Sequence, residues 1–404
     1  MTSRTWLAPG RLDPAGRRVF GDMLPYCLPG VTEHRVTAGA MPAVSFTAGD
    51  EGGADRVEAL LVEAYRRAAS AGGTSQRVLL DQWDLPAVAR GGTVDVQAIG
   101  PGLVVGGPRL ARLTRALDDI ALDIAARVGA VEYTTPHLVD WTTMERAGYL
   151  GNFPQHLTAC TVVEHDLDVL DRFATATGRA EREREFGDSV GFVAPAACLH
   201  LYARLASTTL TAPVTATVRT GCGRYEAASG RSTTRLWSFT LREVVYLGDR
   251  AGALAFRNGM VRELTELAQA LELPARLVSA NDPFFTADRP EMTEYQSRFD
   301  VKHELCARMA GDDRPVAVSS VNFHDRHFGE GFGITTMDGR PAVSACVGFG
   351  LERWAQWLAG WLGDDADDWP EPLRARATRG GPGRRGRLTR AGRPTTDSHE
   401  RGMA

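Results

Sequence analysis

The chain has 404 residues, 43% hydrophobic and 24% charged, enough apolar material for two domains or for one large domain with an appendage. No apolar run approaches the ~20 residues that cross a bilayer, and the opening MTSRTWLAPGRLD has no apolar core behind its basic residue. Neither a membrane span nor a secretory leader is expected, and a soluble, cytoplasmic protein is. The net charge of −4 is uneven: nine arginines and three acidic residues follow from Glu371 onward, leaving −10 for the rest, a poor platform for a long polyanion.

Residues 1–105 mix short apolar strands (AVSFTA, RVLLDQW, GLVVGG) with one helix over Ala54–Ala71, which reads as a small α/β appendage without a chemical motif. From Pro108, Leu110, Leu113, Leu117, Ile120 and Ile124 recur at three- and four-residue steps, predicting a helix that Gly129 stops. AVEYTTPHLV follows as a strand ended by Pro136. After APAACLHLYARL come two strands, TATVRTGCGRYEA and LWSFTLREVVYL, joined by the polar loop ASGRSTTR. A helix spans about 251–271. RPVAVSSVNF, GFGITTM and AVSACVGFG read as strands, and LERWAQWLAGWL as a closing helix. The Gly-, Pro- and Arg-rich stretch 371–404 has almost nothing to bury and is expected to be disordered. The fold class expected for 106–370 is α+β, an antiparallel sheet flanked by helices. The six cysteines lie far apart with no C-x-x-C pair, so thiols in a reducing compartment are expected.

Two short strings carry chemistry. In Gly348-Phe-Gly350-Leu-Glu-Arg353, a strand ends in two glycines and feeds a helix with an arginine in its first turn. A flat purine can lie on such backbone while the arginine reaches a polyphosphate. Arg353 stands where a dinucleotide loop has its third glycine, and the βαβ spacing is missing. In Arg224-Tyr-Glu226, an arginine at a strand end can stabilise charge at an α-phosphate, and the glutamate can accept from an adenine amino group. Read alone, that pair fits a cross-strand ion pair on a hairpin better.

In order along the chain, RVGAVEYTTP resembles motif 1 of the class II aminoacyl-tRNA synthetases, Arg224-Tyr-Glu226 with its loop resembles motif 2, and GFGLER resembles motif 3. Gly223 departs from that pattern, since an aromatic residue usually precedes the motif 2 arginine. Cys198, Glu243 and Cys346 are separated by 45 and 103 residues, so only a sheet can unite them. Two thiolates and a carboxylate suit Zn2+ and leave a fourth position open for a substrate amine. Each cysteine taken singly reads as a small buried hydrophobe.

The strings APAAC, SFTLRE, ANDPFF, NFHDRHFG and ACVGFGLER resemble, more narrowly, the amino acid:carrier-protein ligases, relatives of the atypical zinc-dependent archaeal seryl-tRNA synthetases. The resemblance covers about 106–370. It implies a zinc site of Cys198, Glu243 and Cys346 that holds the substrate amino group. It also implies an ATP site of Arg224, Glu226, Gly348, Gly350 and Arg353, with Mg2+ on the nucleotide and the two arginines catalytic. Asp282, Lys302, Asn322 and His324 are expected to line the substrate cavity beside Glu304. Asp282 precedes a proline and serves equally well in a turn. His324 and His327 need not face the same way on a strand-to-loop segment, so no second metal is read from them.

The activity implied is formation of an aminoacyl-adenylate from a small amino acid, glycine or alanine, then transfer to the phosphopantetheine thiol of an acyl or peptidyl carrier protein by a homodimer. Arg250, Arg257 and Arg262 are candidates for a local basic patch. No tRNA-binding extension is visible. The alternatives are tRNA charging or editing with the Arg-rich tail as RNA contact, and a degenerate, non-enzymatic synthetase relative.

Overall fold

A computed structural model describes residues 1–37, 39–70, 77–90, 95–225, 234–280 and 301–377. The leucine–isoleucine stripe forms the helix Pro108–Arg127. Pro108 sits in its first turn, where a missing N–H costs nothing, and the chain leaves through Gly129 at φ +66°, a left-handed turn that disfavours a side chain. All five stripe residues are buried. Each contributes ~1.5–3 kcal/mol when withdrawn from water, far more than helix propensity supplies. The helix Arg250–Leu271 starts at Asp249, whose carboxylate accepts from the Gly252 amide at 2.8 Å. Leu351–Trp361 buries Trp354 and Trp357 completely.

These three helices cover one face of an eight-stranded sheet. Its spatial order is Val78–Asp81, Ala275–Ser279, Lys302–Arg308, Pro315–Asp325, Val343–Gly350, Ser238–Gly248, Val214–Gly223, Val131–Thr134. Every pairing is antiparallel except the last, where Val131–Thr134 runs parallel to Val214–Gly223. Val343–Gly350 lies inside the sheet and is buried on both faces, which explains its unbroken apolar run. The fold is thus α+β with helices against an almost wholly antiparallel sheet.

The opposite face carries a second core, built from the short helices Trp141–Arg146, Leu199–Arg204 and His327–Phe332. A small sheet of Leu138–Val139, Phe186–Val193 and Ala159–Val163 packs beside them. A third core belongs to the N-terminal unit, where the helices Pro14–Met23 and Glu51–Ser70 pack on a three-stranded sheet.

Several elements differ from expectation. GFGITTM is not a strand: its first residues close the helix His327–Phe332, Gly333 ends it at φ +65°, and only Thr335–Thr336 is extended. Side chains at Gly329 and Gly331 would strike the backbone of Ala342 and Arg146, so these glycines serve close packing. Lys302–Arg308 is an additional strand. Val78–Asp81, assigned to the appendage, belongs to the large sheet. The tail is helical over Glu371–Ala377, because Leu373 is buried and Arg376 pairs with Asp123 of the Pro108–Arg127 helix; residues 378–404 lie outside the described residues. Among the described residues no helix is long and apolar enough to cross a membrane.

Candidate functional site

Directly opposed residues of antiparallel strands share a sheet face, and the register assembles the site from four strands. One cross-strand row runs Lys302, Asn322, Cys346, Val245. The next runs Glu304, Ser320, Gly348, Glu243, Val218. Cys198 comes from outside the sheet, at the start of the helix Leu199–Arg204, and its amide donates to Glu243 Oε2 at 2.6 Å. Its thiol hydrogen-bonds the sulfur of Cys346. Cys198, Glu243 and Cys346, 45 and 103 residues apart, therefore adjoin, all buried.

Two nitrogens adjoin the Cys346 sulfur: Asn322 Nδ2 donates to it and His324 Nε2 faces it, each at 3.6 Å. Asn322 also donates to Ser320 Oγ at 3.1 Å, and His324 Nδ1 is 3.1 Å from Ser344 Oγ. Lys302 forms an ion pair with Glu304 at 3.0 Å, between neighbours on one strand face. His327 turns away to the Ala147 carbonyl at 2.9 Å, so the H-x-x-H string does not converge. Sequence reading passes over Tyr202, which is fully buried beside both sulfurs and stacks on Phe328 at 4.1 Å. It comes from the same helix as Cys198, one turn on, a spacing that was available as a signal.

The electrostatics follow from this packing. Burial pushes the Glu243 carboxyl up to about 7; the Cys346 charge adds to this, and the Cys198 thiol and amide oppose it. The thiols move apart. Cys346 is lowered by the hydrogen bond from Cys198 and by His324, while Cys198, the donor, is raised by the same bond and by burial. In metal-free protein, folded Glu243 holds its proton above its ordinary value of 4.5. Its contribution to stability is then fully present below that value and is lost as pH rises through about 7. Melting temperatures of chelator-treated protein should consequently fall more steeply between pH 4.5 and about 7 than those of Glu243→Gln. Parallel curves would refute this.

Among the described residues, no group of three or more His, Cys, Asp and Glu side chains is arranged to hold a metal ion. Both cysteines are free thiols, that of Cys198 engaged with the Cys346 sulfur by a hydrogen bond, and Glu243 is engaged by the Cys198 amide. The donor types suit zinc, but holding it needs those bonds exchanged for metal bonds.

The second cluster lies further along the same strands. Arg224 Nε donates to the Pro195 carbonyl at 2.8 Å, three residues before Cys198, and its guanidinium lies 5.6 Å from the Phe239 ring. Arg353 Nε donates to the Thr234 carbonyl at 2.7 Å, and its Nη1 to Ala317 O at 3.2 Å. Both arginines meet one short segment, because Arg224 N also donates to Trp237 O at 2.9 Å. Gly348 leaves space over Glu243: a Cβ there would lie 3.5 Å from Glu243 Oε1. Gly350 begins the Arg353 helix. Gly223 has no room for an aromatic ring, since even a Cβ would come 2.7 Å from Val193 Cγ1. Phe239 is the aromatic at this point, and alternation from Glu243 through Leu241 would have placed it on this face. Glu226 and Asp282 lie outside the described residues.

The fold is that of the class II aminoacyl-tRNA synthetases. A solved M. kandleri SerRS, in complex with A. aeolicus tRNASec, matches with a TM-score of 0.66 at 21% identity, over 86% of this chain and 73% of that one. No protein-family model matches the chain. Among curated proteins, an amino acid–[acyl-carrier-protein] ligase 2 of Bradyrhizobium diazoefficiens is 33% identical over 261 residues, covering 61% of this chain and 76% of the relative. The chain belongs to that family and is a ligase. A type-2 serine–tRNA ligase of Methanothermobacter thermautotrophicus is 29% identical over 279 residues, covering 66% of this chain and 54% of the relative, so the chain spans about half of that protein's length.

Proposed function

We propose that the protein activates a small amino acid, glycine or alanine, as its adenylate and passes the aminoacyl group to the phosphopantetheine thiol of a carrier protein. The observation that carries this reading is the register that brings Cys198, Glu243 and Cys346 together, with Arg224 bonded three residues before Cys198 and Arg353 in the first turn of the helix that follows the Cys346 strand. Membership of the ligase family supports it.

In the first step a carboxylate oxygen of the amino acid forms a bond to the α-phosphorus of Mg-ATP, and the bond to pyrophosphate breaks. Arg224 and Arg353 hold the phosphate charge, Phe239 offers the purine a flat face, and Gly348 and Gly350 leave room for adenosine. Glu226 is assigned the adenine amino group. Chemistry of this type is mostly positioning and electrostatic stabilisation. In the second step the carrier thiol, giving up its proton, bonds to the carbonyl carbon and AMP leaves.

Cys198, Glu243 and Cys346 would hold Zn2+, which supplies a Lewis-acidic anchor for the substrate amine. Asn322, His324, Lys302 and Asp282 are assigned to the surrounding cavity. A homodimer through the motif 1 region completes the proposal.

The test is ATP–pyrophosphate exchange across all amino acids, with metal analysis of the same sample, followed by labelled transfer to holo-carrier protein and to tRNA. Exchange with glycine or alanine, one zinc per chain and label on the carrier are expected. Label on tRNA instead would favour the second reading, an aminoacyl-tRNA ligase, which the serine–tRNA ligase relatives motivate. Exchange with no amino acid would end both.

A further inference from the structure

The four residues Thr234–Trp237 form a junction. Arg353 donates to the Thr234 carbonyl at 2.7 Å, and Arg224 N to the Trp237 carbonyl at 2.9 Å. From the other side, Trp237 N donates to Gly102 O at 2.8 Å, Trp237 Nε1 donates to Thr158 Oγ1 at 2.9 Å, and Leu236 is buried. The remaining side chain, Arg235, reaches Asp22 Oδ1 with Nη2 at 3.1 Å. Asp22 lies on Pro14–Met23, a helix of the N-terminal unit. Two contacts separate Asp22 from Arg353: the ion pair to Arg235, and the hydrogen bond into the adjoining Thr234 carbonyl.

We propose that Asp22 is a positioning residue for the nucleotide: by holding Arg235 it fixes the Thr234–Trp237 segment, whose Thr234 carbonyl orients the Arg353 guanidinium and whose Trp237 carbonyl holds the Arg224 backbone, so that the N-terminal unit buttresses the ATP site. The proposal rests on the reading of those two arginines as ATP contacts. Asp22 itself touches no reacting atom. Its carboxylate limits the wandering of a segment whose carbonyl orients Arg353, and that ordering is in place before ATP arrives.

The experiment is calorimetric titration of full-length protein with Mg-ATP, for the wild type, Asp22→Ala, Asp22→Asn, Asp22→Glu, Arg235→Ala and the Asp22→Ala/Arg235→Ala double variant. The partly exposed ion pair sets the scale: Asp22→Ala and Asp22→Asn should weaken ATP about two- to five-fold. Asp22→Glu should recover most of the affinity, and Asp22→Ala should have no further effect once Arg235 is gone. The KM for the amino acid should not move, which a general loosening of the fold would not spare. An unchanged dissociation constant in both folded Asp22 variants overturns the proposal, as does an equal loss in the two Arg235 backgrounds. A wild type that binds no ATP overturns the underlying assignment of Arg224 and Arg353 as well, so the two failures are distinguishable.

Discussion

Replacing Cys346 with serine is expected to lower amino-acid-dependent ATP–pyrophosphate exchange by more than about a hundredfold, the scale of losing a fixed reactant geometry, and to remove zinc from the purified protein. Cys346 lies on the strand Val343–Gly350 inside the sheet, where the ladder leaves its side chain no freedom to retreat. Its sulfur is met by the Cys198 thiol, by the Asn322 amide N–H and by His324 Nε2. A serine oxygen is smaller and harder, and it has neither the reach nor the softness to replace a thiolate toward zinc. Cys222 is the matched control, because it is equally buried but donates only to the Thr220 carbonyl at 3.7 Å. Cys222→Ser should keep both the metal and the exchange activity. Metal analysis and exchange on the same preparations decide the matter, and a Cys346→Ser enzyme with one zinc per chain and undiminished exchange would discard the cluster as the amine site.

Local patterns along the chain already marked most of this fold. The Leu110–Ile124 stripe and the strands Val214–Gly223 and Ser238–Gly248 follow from a periodicity of 3.6 or 2, and the glycines before Arg353 stood out as a short string. The convergence of Cys198, Glu243 and Cys346 does not follow from any local pattern. It depends on Val343–Gly350 lying between Ser238–Gly248 and Pro315–Asp325, which is a matter of strand order. Lys302–Arg308 escaped notice because its half-buried positions carry Lys302, Glu304 and Arg308, so that charge hid the alternation visible in His303, Leu305 and Ala307. GFGITTM misled in the opposite way: its Gly331 and Phe332 close a short helix whose glycines answer to contacts with Ala342 and Arg146, while Ile334 and Met337 lie beyond it. Asp22 had no signal at all, since its partner lies 213 residues further on.

The largest expected loss of stability comes from Arg242, which is 2% exposed on the sheet face opposite its neighbour Glu243. Its Nε and Nη2 clasp Asp118 of the Pro108–Arg127 helix at 2.7 and 3.0 Å, and its Nη1 reaches Glu132 of the edge strand at 2.6 Å. One side chain thus ties the strand that carries Glu243 to the helix beneath it and to the strand two places away. Arg242→Met fills similar volume but leaves Asp118 buried with only Arg219, 3.5 Å away, as a cationic partner. Stranding a buried charge in this way costs about 3–5 kcal/mol, which for a domain of this size lowers the melting temperature by about 5–10 °C. The deficit belongs to the carboxylate rather than to the lost contact, so Arg242→Met combined with Asp118→Leu should recover much of it. Because Glu243 shares the strand, the single variant should also release zinc to a chelator faster than the wild type, while the repaired double variant should hold it. Thermal melts with a parallel chelation assay test both parts. An Arg242→Met protein that melts with the wild type would mean that Arg219 and solvent already satisfy Asp118, and that the clasp contributes geometry without stability.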